Sequence, residues 1–217
     1  MTPLAKQIID SGKGNRILTD RQIARLIGGS AESRYGLVNR AIKAGDLLRV
    51  RRGLYVLSNG LRDAPVHPFA LAQQIVPGSY VTGESALSYH GWIPEAVRSV
   101  LSATTAKSAT YEHEILGNYE FRRLTVRPGY FLEAVSREVF QGQVALVAEP
   151  MRALMDLVYL RKVPWQGLNF LQEGLRIDRE SLTKTPSTDI TPMLAIYKGK
   201  RERAFIEELL RELGLDD

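Results

Sequence analysis

Cysteine is missing from this chain. Its absence excludes disulfides and Cys-based zinc sites, and it agrees with a cytoplasmic protein. Histidine is scarce: His67, His90 and His113 lie far apart, with no metal-ligand spacing among them. No apolar run approaches the roughly 20 residues that cross a bilayer. The first 14 residues carry Lys6, Asp10 and Lys13 without a long apolar centre, so no signal peptide is expected there. Also missing are a phosphate-binding Gly-Lys loop, a dinucleotide-binding glycine pattern, a His-Glu-x-x-His motif, internal repeats and low-complexity runs. The common cofactor and metal signatures are thus absent, and neither a cofactor nor a metal is expected.

What is present is ordinary globular composition, 44% hydrophobic and 24% charged over 217 residues. That length suits one large domain or two small ones with a core of their own. The charge is unevenly placed. Residues 1–60 hold eleven Lys and Arg against four Asp and Glu, a balance of +7, whereas the rest of the chain sums to −2. A locally basic small domain is the electrostatic footprint of a polyanion binder. A solvated basic face is the plainer reading of charge alone.

The pattern inside that basic segment is more telling. Leu4, Ile8 and Ile9 predict a first helix over Pro3–Asp10, ended by Gly12 and Gly14. Thr19-Asp20-Arg21-Gln22 has the form of a capping box. The helix that follows buries Ile23, Leu26 and Ile27 and stops at Gly28-Gly29. Ser30 then caps another helix, which closes at Ala44-Gly45. On its wheel Leu37, Val38, Ala41 and Ile42 share one arc. Glu32, Gly36, Asn39, Arg40 and Lys43 share the opposite one, flanked by Ser33 and Tyr35. Two cations and an amide on an exposed helical arc are the groups that hold phosphates and read purine edges. A basic hairpin follows around Arg52-Gly53. Val50, Leu54 and Val56 are expected to face the core, and Arg49 and Arg51 to project together to the other side. Helix, turn, helix and hairpin in this order predict a winged helix-turn-helix.

Asn59-Gly60 and Pro65 mark a joint near residues 58–66. The expected fold class is α+β: a winged helix-turn-helix domain over 1–60, then a larger mixed α/β domain over 61–217 with a small sheet flanked by helices. In that second part helices are expected at Pro68–Val76, Glu84–Tyr89, Met151–Arg161, Leu168–Leu175 and Lys200–Leu213. Extended segments are expected at Tyr80–Thr82, Val97–Ala103, Tyr119–Val126 and Val144–Ala148, with another near Phe131 or Val139. Thr183–Pro192 reads as a loop.

Chemical motifs in this second part are thin. Gly83-Glu84-Ser85-Ala86-Leu87 begins like a nucleophile elbow but has Leu87 where glycine is required, so Ser85 is expected to cap the helix instead. His90 before Gly91 suits a carbonyl-capping or packing role. Glu112 and Glu114 read as a solvated loop or strand edge. Arg122, Arg123 and Arg127 form a candidate second basic patch. Lys198-Gly199-Lys200-Arg201-Glu202-Arg203 is most simply the solvated start of the last helix, although cations at a helix N-terminus mismatch the helix dipole and mildly favour a phosphate or acidic-partner contact there.

Three blocks in order resemble the AbiEi-type antitoxins of type IV toxin–antitoxin, or abortive-infection, pairs. They are SRYGLVNRAIKAGDLLRVRRGLYVL (33–57), YVTGESALSYHGWIPE (80–95) and AEPMRALMDLVYL (148–160). The last block carries the family's Pro, basic residue, Ala-Leu and Asp as Pro150, Arg152, Ala153-Leu154 and Asp156. The resemblance covers most of residues 15–165 and is weak beyond Trp165. It implies a cytoplasmic autorepressor that binds inverted repeats of double-stranded DNA in its own promoter, as monomers pairing on the DNA. It also implies that the C-terminal part counters a nucleotidyltransferase-like toxin without needing a stable complex. Carried over by position, the DNA contacts are Ser33, Arg34, Tyr35, Asn39, Arg40 and Lys43 on the helix, with Arg49, Arg51 and Arg52 on the wing. No catalytic residue is implied.

Two other readings compete. In one, the C-terminal domain is a nuclease or nucleotide-modifying enzyme delivered to DNA, drawing on Glu84, Glu112, Glu114, Glu149 and Asp156. In the other, the winged helix makes protein contacts and its basic face is incidental.

Overall fold

The computed structural model describes residues 1–215. It is a mixed α+β fold. Helices α1 (Pro3–Asp10), α2 (Asp20–Ile27) and α3 (Ala31–Lys43) precede a three-stranded antiparallel sheet in the order β1-β3-β2, with β1 Leu18–Thr19, β2 Leu47–Arg51 and β3 Leu54–Leu57. Leu4, Ala5, Ile8, Ile23, Val38, Ala41, Leu47, Tyr55 and Leu57 bury together as the core of this module. Both expected caps form. Thr19 and Gln22 exchange side-chain and backbone bonds reciprocally, and the Ser30 hydroxyl accepts from the Ser33 amide at 3.2 Å.

The remainder is built on a six-stranded mixed sheet in the order β6-β7-β5-β4-β9-β8. Its strands are β4 (Tyr80–Val81), β5 (Ser99–Thr104), β6 (Ala109–His113), β7 (Gly117–Arg123), β8 (Val135–Phe140) and β9 (Gln143–Ala148). Helices α4 (Pro68–Ile75), α5 (Gly83–Tyr89) and α6 (Pro150–Arg161) pack on it. The chain ends with α7 (Arg179–Thr183), α8 (Ser187–Ile190), α9 (Met193–Ile196) and α10 (Lys200–Glu212). Phe205, Ile206, Leu209 and Leu210 of α10 are buried, as their spacing predicts.

Several expectations need correction. Thr183–Pro192 is not a plain loop: α7 ends in it and α8 lies inside it, each too short for a readable helical period. Leu168–Leu175 is helical as expected as far as Gly174, but it widens to a π-type turn over Phe170–Gly174. The strand near Phe131 or Val139 is β8, which holds Val139 and excludes Phe131. Between the loop and strand-edge alternatives for Glu112, the strand forms: it is β6, which is absent from the expected extended segments. Ser85 does not cap α5, whose N-cap is Thr82. Its hydroxyl instead donates to the Ser99 carbonyl at 3.2 Å and accepts from the Leu101 amide at 2.8 Å, stitching α5 to β5.

A third apolar cluster joins the two parts. Leu54 of β3 packs with Leu71, Ala72 and Ile75 of α4 and with Tyr119 and Phe121 of β7, and Ile17 and Val50 lie against them. All four residues of β3 are buried, because both faces of that strand are covered.

Candidate nucleic-acid interface

Helix α3 presents its polar arc outward. Ser33, Tyr35, Arg40 and Lys43 are exposed, Tyr35 by 68%. Glu32 stands in the first turn, where a hydrogen bond from the helix backbone and another from Ser30 hold its carboxyl below the usual range. Two sequence candidates are engaged within the protein. Arg34 is half-buried and its guanidinium folds back onto the Gly29 carbonyl. Asn39 is half-buried, and its Oδ1 accepts from Arg49 Nη2 at 3.3 Å. Gly36 lies beside Arg40 with no packing constraint: a Cβ there would meet only the Arg40 guanidinium, at an ordinary 3.6 Å.

The wing departs from the expected pattern. Pairing shifts between Arg49 and Arg51, so that Arg49 lies opposite Tyr55 and Arg51 opposite Leu54. Opposed residues in an antiparallel pair share a face, and an extra residue in one strand re-aims the side chains beyond it. The two arginines therefore leave the hairpin on different faces and do not project together. Arg49 turns towards α3. Arg51 lies on the Leu54 side, half-buried, with its Nε sequestered and unpaired. Arg52 is exposed at the tip. Gly53 takes φ +79° there, and a Cβ on it would meet Asp20 Oδ2 at 2.9 Å. Asp20 and the hairpin are thus closely seated, with the Asp20 amide donating to the Gly53 carbonyl at 3.1 Å. Burial, and then the Asp20 carboxylate, push the Tyr55 phenol above its ordinary range.

The second basic patch does not assemble as one surface. Alternation along β7 places Arg122 on the face of Glu120, with which it pairs at 2.7 Å, and Arg123 on the face of Tyr119 and Phe121. Arg127 sits in the following loop, its amide donating to the Ile196 carbonyl at 2.9 Å. At the start of α10 the cationic run is countered internally. Glu202, 2% exposed, folds towards Gly199 in the first turn and pairs with Arg201.

The carboxylates considered for catalysis do not converge. Glu84 pairs with Arg161, Glu149 accepts from the Ser136 hydroxyl, and Glu112 and Glu114 are exposed at β6 and its turn. Among the described residues no group of three His, Asp or Glu could hold a metal ion, and no helix is long and apolar enough to cross a membrane. His90 Nε2 lies 2.9 Å from the Ala148 carbonyl at the end of β9, so its ring ties the end of α5 to that strand instead of capping the carbonyls of its own helix.

Asp156 belongs to a buried polar network that no local sequence motif announces. Arg152 and Asp156, both fully buried, pair at 3.0 Å one turn apart on α6. The Asp156 carboxylate also accepts from the hydroxyls of Tyr80 (2.8 Å), Thr82 (2.7 Å) and Tyr197 (2.6 Å). The Arg152 guanidinium donates to Tyr80 Oη and to the carbonyls of Tyr130, Phe131 and Glu133. Burial opposes the charge on Arg152. The Asp156 carboxylate, the Tyr197 and Tyr80 oxygens and the hydrogen bond to Asp156 together outweigh that penalty and hold its pKa above the ordinary arginine range. Burial and the same carboxylate raise the phenols of Tyr80 and Tyr197 well above their usual range. With every Arg152 donor engaged, the network pins the Tyr130–Glu133 loop. The available signal, short of a motif, was an i, i+4 pair of opposite charges inside a helix apolar on all sides.

Residues 9–58 match the family described as transcriptional regulator, AbiEi antitoxin. No curated protein matches the chain. The matched segment spans the helix-turn-helix and wing, from the end of α1 to the residue after β3.

Proposed function

We propose, from the match of residues 9–58 to the AbiEi antitoxin transcriptional regulators, that the chain is a cytoplasmic autorepressor and antitoxin. It reads inverted repeats of duplex DNA in its own promoter. The observation that carries the reading is the outward arc of α3, on which Ser33, Tyr35, Arg40 and Lys43 are exposed, as is Arg52 at the tip of the wing. It lies within a segment of +7 net charge on a chain of +5. Arg40 and Asn39 contact base edges. Ser33, Tyr35, Lys43 and Arg52 contact phosphates, with Arg34, Arg49 and Arg51 supporting the helix and hairpin that place them. The chain divides at residue 60 into this reader and a C-terminal antitoxin domain. The latter opposes a nucleotidyltransferase-like toxin without catalysis and without a stable complex, and two monomers pair only on DNA.

Fluorescence anisotropy with the DNA upstream of the gene tests the reader. Binding should exceed that to random duplex at moderate salt. Arg40→Ala should relax base preference, each good base contact being worth about 1–3 kcal/mol of discrimination. Arg52→Ala should weaken both duplexes alike and reduce the salt slope by about one. Equal affinity for operator and random DNA would overturn the autorepressor reading. Rescue of growth on co-expression with the neighbouring toxin gene tests the second half of the proposal.

A further inference from the structure

The winged module is held from outside its own residues. His113 stands at the end of β6, more than fifty residues beyond the matched segment, and its Nε2 lies 3.2 Å from the carbonyl oxygen of Arg49 in β2. The other ring nitrogen is also committed. Nδ1 accepts from the amides of Ile115 and Leu116, each at 3.2 Å, which folds the tight turn between β6 and β7. Two amide donors require a lone pair on Nδ1, so the ring proton sits on Nε2 and is donated to Arg49. The turn is itself anchored, because the Tyr119 hydroxyl donates to the Leu116 carbonyl at 2.6 Å from a buried ring.

Arg49 transmits this hold. Its guanidinium donates through Nη2 to Asn39 Oδ1 at 3.3 Å, on the outward arc of α3. That bond fixes which way the amide faces: Oδ1 towards the wing, the Nδ2 donors away from it. The bulge in β2 immediately after Arg49 makes this strand end a place where backbone direction is locally adjustable. A tether on the Arg49 carbonyl removes that freedom.

We propose that His113 is a positioning residue for base reading. Through the Arg49 backbone and side chain, the six-stranded half of the chain orients the Asn39 amide towards a hydrogen-bond acceptor on a base edge. This rests on the reading of α3 as the DNA-contacting helix. The specificity of the module is therefore a property of the whole chain.

The test uses the full-length protein and the His113→Asn variant. Asparagine can accept the two turn amides through Oδ1, as an Asx turn does, but is too short to reach Arg49. His113→Asn should keep the wild-type melting temperature. It should lose about five-fold in operator affinity, the scale of one neutral hydrogen bond, and leave random-duplex affinity unchanged. In an Asn39→Ala background the same substitution should cost no further affinity, because the group it positions is gone. Wild-type operator affinity and base preference in His113→Asn would overturn the proposal, as would a loss that persists undiminished beside Asn39→Ala. A wild-type protein that does not distinguish operator from random duplex would instead overturn the autorepressor reading. In that event long-range 1H–15N spectra still decide the geometry: the Nε2–H tautomer is expected for His113, and an Nδ1–H tautomer refutes the tether.

Discussion

Gly36 sits in the middle of α3, where glycine costs about 1 kcal/mol relative to alanine, and nothing in the protein requires it there. A Cβ would find ordinary space beside Arg40. Gly36→Ala should accordingly stabilise the protein by about 0.5–1 kcal/mol in urea unfolding while lowering operator affinity, because the added methyl would stand on the face proposed to approach the groove. Unchanged affinity would show that this turn of the helix stays clear of the DNA. His67 offers a second residue-level test. Its ring stacks on Phe140 at 3.6 Å, and Nδ1 accepts from the Phe69 amide at the start of α4. Burial holds its pKa below the usual histidine value. A depressed histidine favours the neutral form in the fold. Its contribution is therefore complete above the unfolded value of about 6.5 and is lost as pH falls through the lower folded value. Urea midpoints should drop between pH 7.5 and 5 in the wild type. His67→Asn, which keeps a capping acceptor without titrating, should flatten part of that drop.

Among the elements, α6 shows how a charged pair inside an apolar helix is used. From Met151 to Val158 every residue is buried, so Arg152 and Asp156 must satisfy each other and their surroundings. Removing one partner leaves the other charge buried and unpaired, at a cost of about 3–5 kcal/mol. Arg152→Met should show that loss in chemical denaturation. It should also free the Tyr130–Glu133 carbonyls, so limited proteolysis should cut that loop faster than in the wild type. Arg203→Ala, which breaks only an exposed pair with Glu207 on α10, should stay within about 0.5 kcal/mol. Equal effects of the two substitutions would show that the buried network adds nothing. This element also marks the limit of reading from sequence. The helix, its Pro150 start and its apolar content were legible, and so were the Thr19 and Ser30 caps, because helical starts are written in adjacent residues. The destination of Asp156 was not, since its partners Tyr80, Thr82 and Tyr197 come from segments brought together only by folding. Strand β6 stays undecided between loop and strand edge in the sequence because Ala109, Tyr111 and His113 alternate with Thr110 and Glu112 too weakly to stand out from a polar loop, and as an edge strand it buries little.

At the scale of the whole molecule, the charge pattern and the cores divide the chain differently. Charge separates a +7 segment from the rest near residue 60. Packing does not stop there, because Leu54 of the wing shares a core with Leu71, Ile75, Tyr119 and Phe121. A reader and a second unit joined only by a linker would unfold independently, whereas a shared apolar core couples them. Both tryptophans, Trp92 and Trp165, lie beyond the wing and report the six-stranded half alone. The far-ultraviolet signal reports α1 to α3 as well. In the wild type the two signals should therefore change at one urea concentration, as a single cooperative transition does. Leu54→Ala removes the wing's side of the joint, at about 2–5 kcal/mol for a buried leucine. It should move the far-ultraviolet transition to lower urea while the tryptophan transition stays nearer its wild-type midpoint. Phe121→Ala removes the other side and should destabilise the six-stranded half first, with operator affinity falling in step because the wing loses its support. If the wild type already shows two separated transitions, the shared core does not couple the parts. The reader would then be an autonomous module, and substitutions beyond residue 60 should leave its affinity for DNA untouched.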